Sequence, residues 1–263
     1  MNVRISGSRI LLTGATGGLG KGLARALRAH GAELILTGRR MEVLESLAAE
    51  IGAMPIAADL SSPSDVTRLL DEAGPVDILI SNAGLTAVGP VVDFSEEEIA
   101  RTVDVNLVTP ILLSRAVTPQ LVGRGRGHIV LIGSMGGRTA SKGSAMYNST
   151  KFGLRGFALA HRQDLHGTGV GVSIVEPTFV SDAGMYADSG VALPKGVRTV
   201  SPDDVTRAVI RSIEKNVDEI VVAPLEQRIQ ASLALVAPSV DARLQRVFGV
   251  SDVFGKYPGV TKR

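Results

Sequence analysis

The sequence predicts an α/β fold, three layers deep and doubly wound around a central parallel sheet of about seven strands. Two observations predict it. Apolar runs of strand length alternate with amphipathic segments of helical length along most of the 263 residues. The strand cores, such as Ile10-Leu11-Leu12 and Asp77-Ile78-Leu79-Ile80, are continuously apolar, as expected of strands covered on both faces.

The predicted strands are Arg9 to Thr13, Glu33 to Thr37, Met54 to Ala57, Val76 to Ser81, His128 to Ile132, Gly171 to Val175 and Glu219 to Val222. Several helix starts are legible between them. Ser62-Pro63-Ser64-Asp65 and Ser201-Pro202-Asp203-Asp204 each place a capping serine before a first-turn proline and an acid, and Ser95 with Glu98 forms a capping box. The expected organisation is one domain over residues 1–263, with looser segments at about 180–200 and a helical extension over about 225–263.

Composition narrows the function classes. Hydrophobic residues make up 44% of the chain, enough for a substantial core. There is no cysteine, hence no disulfide or thiolate metal site, and the cytoplasm is the favoured compartment. No signal core precedes the first strand and no apolar run reaches membrane-spanning length. A net charge of +2 with only 3% aromatic residues argues against a nucleic-acid stacking surface.

Two stretches carry chemistry. The first strand runs into Thr13-Gly14-Ala15-Thr16-Gly17-Gly18-Leu19-Gly20 and then into a helix, so glycines permit a tight turn and bring backbone N–H groups towards a pyrophosphate. The second runs from Ser134 to Lys151. Tyr147 and Lys151 are spaced i, i+4, which puts them on one helix face, and an ammonium there is expected to lower the phenol pKa from its usual value of about 10. Ser134, at the end of a strand, offers a hydroxyl to a substrate oxygen.

With Asp59-Leu60, Asn82-Ala83-Gly84 and Asn106 in order between them, these motifs resemble the short-chain dehydrogenases/reductases in their compact, single-domain branch, over Arg9 to about Val222. The resemblance implies a Rossmann fold and a Ser-Tyr-Lys mechanism on a ketone or secondary alcohol. It implies that Asn106, Ser134, Tyr147 and Lys151 are catalytic. It further implies that Gly14, Thr16, Gly17, Gly18, Leu19, Gly20, Asp59, Leu60, Asn82, Ala83, Gly84, Tyr147, Lys151, Pro177 and Val180 border the cofactor, with Asp59 at the adenine ring. In such relatives the asparagine matched by Asn106 holds a water in a proton relay with the lysine. Homodimers or homotetramers are implied as well.

NADP(H) is expected over NAD(H), because Gly38 stands where an acid would accept the ribose hydroxyls and Arg39 offers a cation to a 2′-phosphate. The segment Glu176-Pro177-Thr178-Phe179-Val180-Ser181-Asp182 departs from the family's Pro-Gly followed by a nicotinamide-contacting threonine, and whether Ser181 or Asp182 takes that place stays open. Met185, Tyr186, Val191 and Leu193 in the expected lid suggest an apolar substrate. The four histidines lack metal-ligand spacing and read as surface or boundary residues, with no metal expected. Arg124, Arg126, Arg138 and Lys142 read as a cationic cluster, chiefly a solvated turn. Leu225, Ile229, Leu233 and Val236 form a helical stripe expected to pack on the core, the pocket or another subunit. Two other readings stay open: a non-catalytic dinucleotide sensor, and a membrane-associated interaction protein using that stripe.

Overall fold

The computed structural model describes residues 3–191, 193 and 196–247. Its strands are β1 (Arg9–Thr13), β2 (Glu33–Gly38), β3 (Met54–Ala57), β4 (Ile78–Ser81), β5 (Gly127–Ile132), β6 (Val170–Pro177) and β7 (Glu219–Val222). All pair in parallel in one seven-stranded sheet of order β3-β2-β1-β4-β5-β6-β7. Five strand ends differ from expectation, two of them by one residue at the starts of β5 (Gly127) and β6 (Val170). β4 begins at Ile78, not Val76, while the Asp77 carboxylate accepts the Arg9 N–H at 3.0 Å. β2 reaches Gly38 through pairing with Ala57, and β6 reaches Pro177 through pairing with Val222.

The helices are α1 (Gly18–Ala29), α2 (Met41–Ile51), α3 (Pro63–Ala73), α4 (Glu96–Val103), α5 (Thr109–Gly123), α6 (Ala145–Asp164), α7 (Met185–Ser189), α8 (Pro202–Glu214), α9 (Leu225–Val236) and α10 (Pro238–Val247). Ser62 caps α3, and Ser95 and Ser201 form full capping boxes on α4 and α8. Each serine accepts a backbone N–H that the first helical turn leaves unpaired. A wide turn of π type, Asp104–Val108, joins α4 to α5.

Alternation along the buried strands builds two cores. Ile10 and Leu12 pack with Leu23, Leu27, Val205 and Val209 from α1 and α8, whereas Leu11 joins Leu69, Leu113 and Leu154 from α3, α5 and α6. Both faces are thereby covered, as the apolar runs require. The order reverses between β1 and β4, and a doubly wound sheet opens its ligand crevice at that switch point, outside the carboxyl ends of the strands. The expected extension beyond Val247 and positions 192, 194 and 195 of the expected lid lie outside the described residues.

His128 corrects the reading of the histidines as surface or boundary residues. It lies on β5 only 1% exposed, with Nε2 2.8 Å from Ser173 Oγ. Gly171 makes the room, since a Cβ there would strike the imidazole. Burial, helped by the nearby Arg162 charge, lowers the His128 pKa to about 3. An unfolded histidine titrates at about 6.5, so the stability from this neutral ring is complete above that pH and is lost as pH falls towards about 3. Between neutrality and about pH 4.5 the loss is about 2–3 kcal/mol. Urea unfolding at both pH values is expected to show a His128→Gln variant less acid-sensitive than wild type by roughly that amount; equal sensitivity would contradict this.

Candidate active site

The segments that end the central strands converge on one cavity of about 1210 Å³. Gly14 to Gly20 follow β1, Asn82 to Gly84 follow β4, Ser134 follows β5 and Pro177 closes β6. Every residue expected at the site lines this cavity except Asn106.

The glycine turn is locked by contacts that only small residues permit. Gly14 has φ 66°, and a Cβ there would lie 2.8 Å from Ala83 Cα; a Cβ on Gly20 would run into the Gly14 carbonyl. Thr13 Oγ1 accepts the backbone N–H groups of Asn82 and Ala83, each at 3.0 Å, and Asn82 Nδ2 donates to the carbonyls of Thr13 and Gly14. The Asn-Ala-Gly segment therefore braces the turn from the neighbouring strand. Helix α1 starts beside it with no side-chain cap and no acid in its first turn. Its positive end suits a pyrophosphate, so the residues present fit a dinucleotide.

At the end of β2, a Cβ at Gly38 would come within 2.9 Å of Thr16 Cγ2, so any side chain there requires Thr16 to shift. Arg40 donates to the Thr16 carbonyl at 2.7 Å, fastening the turn. Arg39 is exposed at the cavity edge and makes no ion pair among the described residues. The Asp59 carboxylate accepts from Ser61 Oγ at 2.8 Å and from Arg101 at 3.0 Å. Burial raises its pKa, but the bonds from Ser61 and Arg101 outweigh it and hold it below the usual carboxylate range. Arg101, a cavity-lining residue, was not foreseen, because its partner lies on the loop after β3.

Ser134, Tyr147 and Lys151 meet at the other end. Tyr147 stands in the first turn of α6 beside the short 3-10 turn Met135–Gly137, where a Cβ on Gly136 would lie 3.1 Å from the ring. Ser134 stands close enough to the Tyr147 phenol to oppose the rise in its pKa, and its Oγ accepts the Gly136 N–H at 3.0 Å. Lys151, 4% exposed, donates from Nζ to the Ile132 carbonyl at 3.0 Å and lies 5.7 Å from the Tyr147 ring centre.

The expected lowering of the phenol pKa by Lys151 is not found. Burial raises the Tyr147 pKa, opposed by Ser134 alone, because the ammonium sits over the ring and spends a proton on a backbone carbonyl. Burial in turn lowers the Lys151 pKa to about 8. Asn106 is buried behind these groups at the π turn. Its Oδ1 accepts the Leu85 N–H at 2.7 Å, and its Nδ2 donates to the Leu85 carbonyl at 3.0 Å and to Thr150 Oγ1 at 3.3 Å. Asn106 Oδ1 and Lys151 Nζ both flank Gly84, where a Cβ would meet them in ordinary van der Waals contact at 3.5 and 3.9 Å.

Arg138 is the chief residue that the sequence misplaced. It is buried, not part of a solvated cluster, and its Nε donates to Glu176 Oε2 at 2.5 Å while Nη2 pairs with Glu219. Arg155 Nε holds the other Glu219 oxygen at 2.6 Å. This network ties the turn after Ser134 to β6 and β7. Arg124 instead pairs with Asp77 at 3.1 Å. Neither Ser181 nor Asp182 lines the cavity: Ser181 donates to the Val200 carbonyl, and Asp182 adopts φ 60°. Thr178 does line it and donates to Gln227 Oε1 at 2.5 Å, a pair the sequence did not suggest. Above the site the lid closes down, with Met185 Cε near the Gly84 position and Ala183 against Gly18.

The signature described as short chain dehydrogenase matches residues 8–191. The chain belongs to this family. It is 33% identical to the ketoacyl reductase HetN of Nostoc sp. over 94% of this chain and 91% of that one. It is 35% identical to the NADP-dependent 3-hydroxy acid dehydrogenase YdfG of Salmonella typhi over 76% of this chain and 86% of that one. Among solved structures, a short-chain dehydrogenase from Sphingobium yanoikuyae in complex with NADPH superposes with a TM-score of 0.75 at 27% identity, covering 92% of this chain and 95% of that one. This short-chain dehydrogenase is thus an NAD(P)-dependent oxidoreductase with the Rossmann-like sheet that its sequence predicted. Among the described residues no helix is long and apolar enough to cross a membrane, and no group of residues could hold a metal ion.

Proposed function

We propose that the chain is an NADP(H)-dependent enzyme that interconverts a ketone and a secondary alcohol through Ser134, Tyr147 and Lys151. The observation that carries this reading is their meeting at the wall of the cavity whose other end is the glycine turn. Bound there, the nicotinamide supplies the hydride for reduction or accepts it in oxidation. Gly14 to Gly20 hold the pyrophosphate, Asp59 and Leu60 border the adenine, and Asn82 to Gly84, Pro177 and Val180 flank the nicotinamide half.

The Tyr147 phenol is protonated at neutral pH and so can donate to a carbonyl oxygen, while burial makes it a weaker acid than a free phenol. Ser134 Oγ, beside that phenol, supports the same oxygen as charge develops on it. Lys151, whose ammonium faces the Tyr147 ring, is placed to hold the nicotinamide ribose, and Asn106 fixes the Leu85 backbone beside it. Apolar cavity walls from Leu85, Val88, Val105, Met185 and Tyr186 support an apolar substrate body. Val108 just before α5, Leu112 on α5 and Phe152 on α6, each more than a third exposed, support a homo-oligomer packed through these helices.

Two predictions arise here. Ketone reduction is expected to slow as pH rises through about 8, where Lys151 loses its charge, and Lys151→Arg is expected to move that fall upward; a profile unaltered by Lys151→Arg contradicts the role. Removing the exposed cation in Arg39→Ala is expected to weaken NADPH binding by about 10- to 100-fold and leave NADH unchanged. Equal loss for both cofactors, measured by fluorescence titration, would show that Arg39 does not read a 2′-phosphate.

A further inference from the structure

The C-terminal helix pair is turned inside out. α9 buries Gln227, Ala231 and Ala234 and leaves Leu225 at 66%, Ile229 at 61% and Val236 at 81% exposure. The stripe expected to pack on the core, the pocket or another subunit is thus largely the outer surface of this chain. α10, which packs on α9, continues the pattern with Val240 at 46% and Val247 at 78%. A helix that faces solvent normally carries the opposite arrangement, its large aliphatic side chains inward. These side chains are therefore built to meet something other than water.

The charges on the pair name the occupant. Its acids are spent: Glu226 is held by Arg198 at 2.7 Å, and Asp241 is 2% exposed, accepting from Gln230 and Gln245. Arg228, Arg243 and Arg246 are exposed and form no ion pair among the described residues. The surface is therefore aliphatic with uncompensated positive charge, which is the chemistry of a helix lying in an anionic lipid interface. A second copy would bring two sets of the same arginines into one contact. An acidic protein would need a groove matched to aliphatic side chains spread over two helices, whereas a bilayer conforms to them.

We infer that α9 and α10 dock the enzyme peripherally on anionic phospholipid membranes. The inward residues of the same pair, Gln227, Gln230, Leu244 and Gln245, line the cavity, so docking sets the cavity mouth beside the lipid phase. Vesicle binding needs no turnover, so this inference stands apart from the catalytic reading.

The test is flotation of the full chain with phosphatidylcholine vesicles containing or lacking phosphatidylglycerol, alongside light scattering of the protein alone. Binding is expected only to the anionic vesicles and to fall with salt. Ile229→Asp, and Arg228→Gln with Arg243→Gln and Arg246→Gln, are each expected to weaken it at least about tenfold. Unchanged thermal unfolding and NADPH affinity would show that the variants fold. Absence of flotation, or flotation indifferent to these substitutions, overturns the inference. So does an oligomer that Ile229→Asp dissociates in the absence of vesicle binding, which would assign the face to a second copy.

Discussion

Replacing Tyr147 with phenylalanine is expected to lower kcat for ketone reduction by about 10³-fold while NADPH affinity stays within about twofold. The substitution removes one oxygen and leaves the ring that packs on Gly136. It deletes the hydroxyl beside Ser134 that can both give and regain a proton. Ser134 and the approach geometry remain, so residual activity persists above the uncatalysed rate. Steady-state kinetics with a fluorescence titration of NADPH checks this. A loss of less than about tenfold would move the proton donor elsewhere, and a parallel loss of cofactor affinity would make Tyr147 a structural residue.

The second large effect is on stability. Arg138→Ala is expected to cost about 3–5 kcal/mol, because it leaves the fully buried Glu176 without its closest cation. Burial already pushes the Glu176 pKa up against the pull of Arg138, and Glu176 Oε1 has no hydrogen bond, with Arg155 Nε 3.8 Å away. Without Arg138 that upward shift grows. A carboxyl whose folded pKa lies above its unfolded value costs stability as pH rises through the interval between them. The deficit of Arg138→Ala is therefore expected to be larger at about pH 8 than at about pH 5, read by urea unfolding. A deficit below about 1 kcal/mol, or one that grows in acid, would contradict it. Because Arg138 follows the turn hung from Ser134, lost stability and lost activity are expected together.

These residues also mark where the sequence was informative. The glycine turn was legible because Gly14 and Gly20 occupy positions that a Cβ would destroy, and geometry of that kind leaves its mark in residue type. Ser134, Tyr147 and Lys151 were legible from local spacing: one strand end and one helix face suffice to bring them together. Arg138 was not, since its partners Glu176 and Glu219 arrive on β6 and β7, far along the chain, and a lone arginine beside glycines looks like a surface turn. His128 failed for a related reason. Every residue of β5 is buried whatever its polarity, and what makes room for the imidazole is the absence of a side chain at Gly171 on the next strand. The α9 stripe shows the limit of periodicity, which finds an apolar face without telling which way it points.

The fate of a labelled hydride tests the central claim most directly. The chain would be incubated with NADPH deuterated at nicotinamide C4, in separate reactions for the two faces, and with a panel of apolar ketones. Product alcohols would be read by mass spectrometry, with Tyr147→Phe in parallel. The account predicts deuterium on the carbinol carbon from one labelled face only, at a rate that Tyr147→Phe depresses by about three orders of magnitude. Tight NADPH binding with no deuterium in any product, or transfer undiminished in Tyr147→Phe, would contradict it.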